Sequence, residues 1–186
     1  MDEKEWVRQI TERLIGDLTD LDLRVEQGKK LPYAHEIVHY SASGRPSPRV
    51  IAYETDILIS ERVSADIIKP RIIIEAKIRR VTTHDAITYS EKAADHKRVH
   101  PYVRYGIILG SRKHYPLPGR LFRHGANFDF MQSFKEFAPN IAEWDNFKKL
   151  IRTELQNSRL LEEIIYNSRS KNRMAFTSLQ KMLNLT

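Results

Sequence analysis

Cysteine is missing altogether from the 186 residues, which rules out disulfide frameworks, cysteine–zinc sites and thiol catalysis. Long apolar runs are missing too. None approaches the roughly 18 residues that a membrane-spanning helix needs. The N-terminus, Met1-Asp2-Glu3-Lys4-Glu5-Trp6, is acidic and polar, so it does not read as a signal peptide. There is no internal repeat, no low-complexity tract and no helix-turn-helix or zinc-finger pattern. Acidic residues are in deficit: 24 Asp and Glu against 31 Lys and Arg leave a net charge of +7, with a sequence pI near 9.6. The expected partner is therefore a polyanion, nucleic acid ahead of an anionic membrane. A soluble, cytoplasmic protein with no membrane contact is the expectation. What remains is enough chain for one domain, 1–186, with a real core.

Apolar spacing of three and four (Trp6, Ile10, Leu14, Leu18, Leu21, Val25) predicts an amphipathic helix over 4–26, ended by Gly28. A short helix is expected over 32–39, and a polar loop carrying Arg45 and Arg49 follows. Residues 51–60 and 70–79 read as strands, the second rich in β-branched Ile72, Ile73, Ile74 and Ile78. Thr83 can cap a helix running to about residue 99. Its polar stripe, Asp85, Tyr89, Lys92 and His96, either flanks a cleft or is a solvated face. A third strand is expected over 105–109, then a basic, turn-rich stretch over 111–125 with Arg112, Lys113, Arg120 and Arg123, and a last strand over 128–134. A long helix is expected from Asn140 to about residue 168, and an amphipathic tail with Met174, Phe176, Leu179, Met182 and Leu183. The fold class is α/β: a mixed central sheet flanked by helices, with its core at about 32–135.

The two strands carry charge where burial makes charge costly. Side chains alternate with period two, so Glu75 and Lys77 share one face, as do Glu54 and Asp56. Ile73 lies on the Glu75 face, and Ile72, Ile74 and Ile78 on the other, so apolar cover is expected on both. If the strands pair with these ends aligned, carboxylates converge beside one ammonium, an arrangement stable only when paired or metal-bound. The bland alternative is a cross-strand Glu–Lys pair on a solvated face.

Asp56, eighteen residues, then Glu75-Ala76-Lys77 resembles the Asp…(Asp/Glu)-x-Lys signature of the PD-(D/E)xK nuclease superfamily. Thr55 stands where the family's nominal proline does. The resemblance implies a mixed sheet with helices on both faces, a restriction-endonuclease-like fold, with the motif on two adjoining strands. It also implies Asp56, Glu75 and the Ala76 carbonyl as ligands of Mg2+, with Mn2+ able to substitute, and Lys77 to orient or deprotonate the attacking water. A glutamate on the preceding helix often assists in the family; Glu36 is expected in that role, with Glu54 as competitor. More narrowly, the whole chain is similar to the small subunit of heterodimeric type IIS restriction endonucleases. That likeness implies a chain that cuts one strand of double-stranded DNA while a larger, DNA-recognising and nicking subunit cuts the other. Arg45, Arg49, Arg79, Arg120, Arg123, Lys92 and His96 are the expected DNA contacts.

Three other readings compete. A structure-selective or repair nuclease would use the same residues on another substrate. A non-catalytic nucleic-acid-binding module would have the basic surface without a metal site. Finally, His35-Glu36-Ile37-Val38-His39 matches the helical zinc-protease pattern His-Glu-x-x-His letter for letter. Its helix would be only two turns long, however, and no later histidine falls in the extended signatures. On the nuclease reading, no zinc is expected.

Overall fold

A computed structural model describes residues 1–19, 22–64, 67–114, 116–167, 178–179 and 181. Its centre is a five-stranded mixed sheet built on β1 (Leu23–Gln27), β4 (Ile57–Arg62), β5 (Ile68–Ile78), β6 (Arg104–Gly110) and β7 (Phe130–Ser133), in the order β1-β4-β5-β6-β7. The first two pairings are antiparallel and the last two parallel. The parallel step from β5 to β6 requires a crossover, supplied by helix α2 (Thr83–Val99).

Strand β5 is buried on both faces, and the isoleucine run divides as its alternation predicts. Ile72, Ile74 and Ala76 join Trp6, Ile10, Ile108, Phe147 and Ile151 in one core. Helices α1 (Glu3–Asp17) and α4 (Ile141–Tyr166) supply that layer. Ile73 joins Leu58, Ala86, Ala93, Tyr105, Ile107 and Leu109 in the other, under α2. Helix α4 starts with a reciprocal cap: Asn140 Oδ1 accepts from Glu143 N and Glu143 Oε2 from Asn140 N, both at 2.9 Å. Close packing also explains one glycine. A Cβ on Gly106 would stand 2.2 Å from the Phe130 ring, so nothing larger fits there without displacing it.

Several boundaries differ from the expectations. Helix α1 stops at Asp17 rather than running to residue 26. The backbone turns back through Asp22 at φ 51, and Val25 then packs on the sheet from β1. Leu21 lies outside the described residues. Gly28, at φ 68, serves the turn between two strands instead of ending a helix. The expected helix over 32–39 is strand β2 (Lys30–Tyr40), paired antiparallel with β3 (Pro46–Glu54) in a separate two-stranded ribbon. Beyond Ala34 both faces of β2 are exposed, so no one-sided apolar pattern existed there to separate strand from helix. The single strand expected over 51–60 is two strands, β3 and β4. Thr55, between them, is fully buried, accepts from Gly28 N at 3.0 Å and donates to Lys29 O through its own N at 3.0 Å and Oγ1 at 2.9 Å. The cap of α2 is Thr82, not Thr83, and the turn-rich stretch holds a short helix, α3 (Gly119–His124). Of the tail's expected apolar residues only Leu179 is described, and it is exposed; Met174, Phe176, Met182 and Leu183 lie outside the described residues.

Candidate active site

The register between β4 and β5 sets Ile57 against Ile74, so the next residues out, Asp56 and Glu75, stand side by side where β4 begins. Asp56 Oδ2 accepts from Ala76 N at 2.8 Å, which fixes its carboxylate against β5. Glu75 is 2 % exposed. Its Oε1 accepts a 2.5 Å bond from the Tyr105 hydroxyl on β6 and lies 3.7 Å from Lys92 Nζ on α2. Two residues on, Lys77 Nζ sits 2.7 Å from Glu3 Oε1 at the start of α1, with Ile78 N donating to Glu3 Oε2 at 3.4 Å.

The electrostatics follow from crowding carboxylates in a dry place. Burial, then the Asp56 charge, pushes the Glu75 carboxyl up to about 7. Burial likewise raises Asp56, with Glu3 adding repulsion against the bond from Ala76. Burial alone would lower Lys77, but Glu3 and Tyr89 hold its ammonium above the usual lysine range. The aromatic rings of Tyr89 and Tyr53 face the two ammonium groups: Lys77 lies 5.3 Å and Lys92 5.2 Å from the Tyr89 ring, and Lys92 5.5 Å from that of Tyr53.

The polar stripe on α2 faces inward. Lys92 reaches Glu75 and Tyr89 reaches Lys77, and Asp85 closes the capping box with Thr82. His96, expected to contact DNA, is fully buried, with Nε2 3.3 Å from Leu31 O and Nδ1 3.1 Å from Lys92 O; it ties the ribbon to α2 and has no surface to offer a phosphate. Arg45, Arg49, Arg79 and Arg123 are exposed. Arg45 and Arg49 lie on the outer part of the ribbon, and Arg79 directly follows β5. Arg120 is half-buried and donates to Val81 O at 2.9 Å.

Glu36 does not belong to this cluster. It sits on the exposed outer half of β2, opposite Arg49, because the segment is a strand of the ribbon and not a helix beside the sheet. Glu54 ends β3, its carboxyl turned toward Gly28. Glu3, not Glu36 or Glu54, is the carboxylate that contacts Lys77. Its sequence signal, an acid in the first turn of an amphipathic helix, is indistinguishable from ordinary helix-dipole complementarity. Glu3→Gln is expected to lower any metal-dependent DNA cleavage roughly tenfold or more, by loosening Lys77, whereas Glu36→Gln leaves it unchanged. Equal rates for Glu3→Gln and the parent chain would remove Glu3 from the site.

The His35–His39 pair is likewise dissolved by the strand. Four residues apart in β geometry are about 13 Å apart rather than one helical turn, and both side chains are exposed. Among the described residues no three or more His, Cys, Asp or Glu side chains are grouped to hold a metal ion. The pair Asp56–Glu75 is a smaller donor set of hard oxygens. It fits a cation that takes one or two carboxylates and completes its shell with water and phosphate oxygens, as Mg2+ does. Among the described residues no helix is long and apolar enough to cross a membrane.

No protein-family model matches the sequence, and no protein with a curated description does. Among solved structures the chain is similar to the pre-specific restriction endonuclease BsaWI in its DNA complex, at 11% identity and a TM-score of 0.46. The match covers 90% of this chain and 64% of that one, so this chain spans just under two thirds of that protein's length.

Proposed function

We propose that the chain is a cytoplasmic, Mg2+-dependent endodeoxyribonuclease of restriction-endonuclease-like fold that hydrolyses one strand of double-stranded DNA. On this reading it is the small catalytic subunit of a heterodimeric type IIS restriction enzyme. The observation that carries the catalytic part is the Asp56–Glu75 pair, side by side across antiparallel strands and raised by burial and like charge, with Lys77 next along the same face. A divalent cation relieves that repulsion. Asp56, Glu75 and the Ala76 carbonyl would hold Mg2+, or Mn2+ in its place, which when bound polarises the phosphate and lowers the pKa of its water.

The chain's own residues then have separable tasks. Tyr105 and Lys92 stabilise the Glu75 anion, one by hydrogen bond and one by charge. Lys77 is held protonated by Glu3, so it orients the attacking water and offsets charge on the pentacoordinate phosphorus rather than acting as the base. Arg45, Arg49, Arg79 and Arg123 meet phosphates, which position a duplex without reading it. Base reading falls to a larger partner subunit, because this sequence carries no helix-turn-helix or zinc-finger pattern of its own. Titration calorimetry of Mg2+ and Mn2+ tests the site directly: one site is expected in the parent chain and none in Asp56→Ala. Heat of binding unchanged by Asp56→Ala, or no binding at all, would overturn the metal site.

A further inference from the structure

An open cavity of about 420 Å3 lies where β5, β6 and β7 end, lined by Arg79, Ser111, Arg112, Lys113, Lys135 and Glu136. We propose that it is an anion subsite that takes a backbone phosphate of the DNA strand beside the one being cut. The identity of the anion rests on the nuclease reading; the site itself rests on its own geometry.

Three strand ends are fastened together to make it. Arg79 N donates to Gly110 O at 2.8 Å, Ser111 N to Glu136 O at 3.3 Å and Arg112 N to Phe134 O at 3.2 Å. The Arg112 guanidinium donates to Arg79 O. Arg79 and Ser111 both take positive φ, 59 and 50, a conformation that non-glycine residues adopt only where neighbours hold them there. Two adjacent strands therefore make the same costly turn at the rim of one cavity.

The charges there are unspent. Among the described residues, none of Arg79, Arg112, Lys113 and Lys135 is in an ion pair, and Glu136 is the lone acid in the lining. At the other end of the sheet the buried cations are matched: Arg71 contacts Glu61 and Glu162, and Arg104 contacts Asp129 and Glu154. Arg112 adds an independent sign of a missing acceptor. Its Nε is buried and has no hydrogen-bond partner, although a guanidinium N–H has a fixed direction and is costly to leave unpaired. Burial, then the charge of Arg120, also holds Arg112 below the usual guanidinium range, a pressure that an anion relieves. Phosphate oxygens are the acceptors that suit such a fork.

The location suits a second phosphate rather than the one being cut. Arg79 is two residues beyond Lys77, just past the end of β5, and crevices at the carboxyl ends of parallel strands are where ligands enter open α/β sheets.

The test is anisotropy of a short labelled DNA duplex in chelator, so that no metal takes part, across a salt series. Arg79→Gln and Lys113→Gln are each expected to weaken binding roughly five- to tenfold and to reduce the salt slope by about one. Glu136→Gln should tighten it. Arg62→Gln, an exposed cation at the opposite end of β4, should change neither quantity. Both cavity variants replace exposed side chains that are in no ion pair among the described residues, Arg79 contacting the Phe137 ring at 5.5 Å, and melting curves check their folding. Unchanged affinity in Arg79→Gln and Lys113→Gln, an equal loss in Arg62→Gln, or no duplex binding by the parent chain at low salt would each overturn the subsite. Because metal is absent, a parent chain that binds no Mg2+ or Mn2+ in calorimetry would sink the nuclease reading while leaving this result standing.

Discussion

Glu75→Gln is expected to lose at least about a thousandfold in DNA cleavage and, at pH 8, to be harder to unfold than the parent chain. The first effect follows from removing one of two carboxylates on which a cation site depends, a matter of several kcal/mol in the transition state. The second follows from linkage. A carboxyl that titrates near 7 in the fold and near 4.5 in the unfolded chain makes the folded state the tighter proton binder. Stability contributed below pH 4.5 is therefore lost as pH rises to about 7, about 3 kcal/mol in all. Glutamine keeps an oxygen to accept from the Tyr105 hydroxyl but carries no charge, so that loss disappears. Urea unfolding should show the two proteins nearly equal at about pH 4.5 and separated by about 3 kcal/mol at pH 8, with the variant ahead. Mg2+ affinity of the parent chain should fall on acidification through about pH 7, as the proton competes with the cation for Glu75. Equal stabilities at both pH values, or a variant that still cuts, would contradict the site.

Arg104→Leu should be the more damaging change to the fold. Arg104 lies between Asp129, at 3.1 Å, and Glu154, with both carboxylates 8% exposed. Asp129 retains Lys97 at 2.9 Å and the Tyr105 N–H at 2.8 Å. Glu154 retains only the Asn157 amide at 3.2 Å among its described partners. Removing the arginine thus leaves a buried charge unmatched, which costs about 3–5 kcal/mol and lowers the melting temperature by roughly 10 °C for a chain of this size. The double change Arg104→Leu with Glu154→Leu should recover much of that loss, since the stranded charge goes too. Calorimetry that found less than about 1 kcal/mol for the single change would show the pair to be solvent-screened.

The convergence of Asp56 and Glu75 was more legible in the sequence than several of the elements around it, for physical reasons. Period-two alternation is enforced by the sheet itself, so Ile73 with Glu75 on one face and Ile72 with Ile74 on the other could be read directly. The pairing of Asp56 with Glu75 followed once the strands were taken as neighbours. Spacing deceived elsewhere. Leu18 and Val25 continue the apolar stripe of α1 on paper, yet Val25 is buried as a strand residue, reached only after the backbone reverses through Asp22. His35 to His39 looked helical because five letters matched a helical pattern, while the ribbon that holds them buries too little apolar surface to impose an alternation. The break at Thr55 depends on bonds to Lys29 and Gly28, contacts that no local window contains. Glu3 was missed for the same reason: only the fold brings the first turn of α1 to the end of β5.

The register of β4 on β5 governs what kinds of inherited change this chain can survive. A bulge already absorbs one extra residue beside Ile59 and Ser60, so the ladder is recalibrated there and runs without interruption from Ile72 to Ile74. One residue inserted between Ile72 and Glu75 would turn every later side chain of β5 to the opposite face. Glu75 would enter the core of Trp6 and Ile108, and Ile74 or the inserted residue would take its place beside Tyr105. The same insertion between Arg62 and Ile68 lengthens a connection and leaves the ladder as it is. Insertions and deletions, more than substitutions, therefore mark the boundary of neutral drift along this strand, because one frame of alternation serves both the core and the carboxylates.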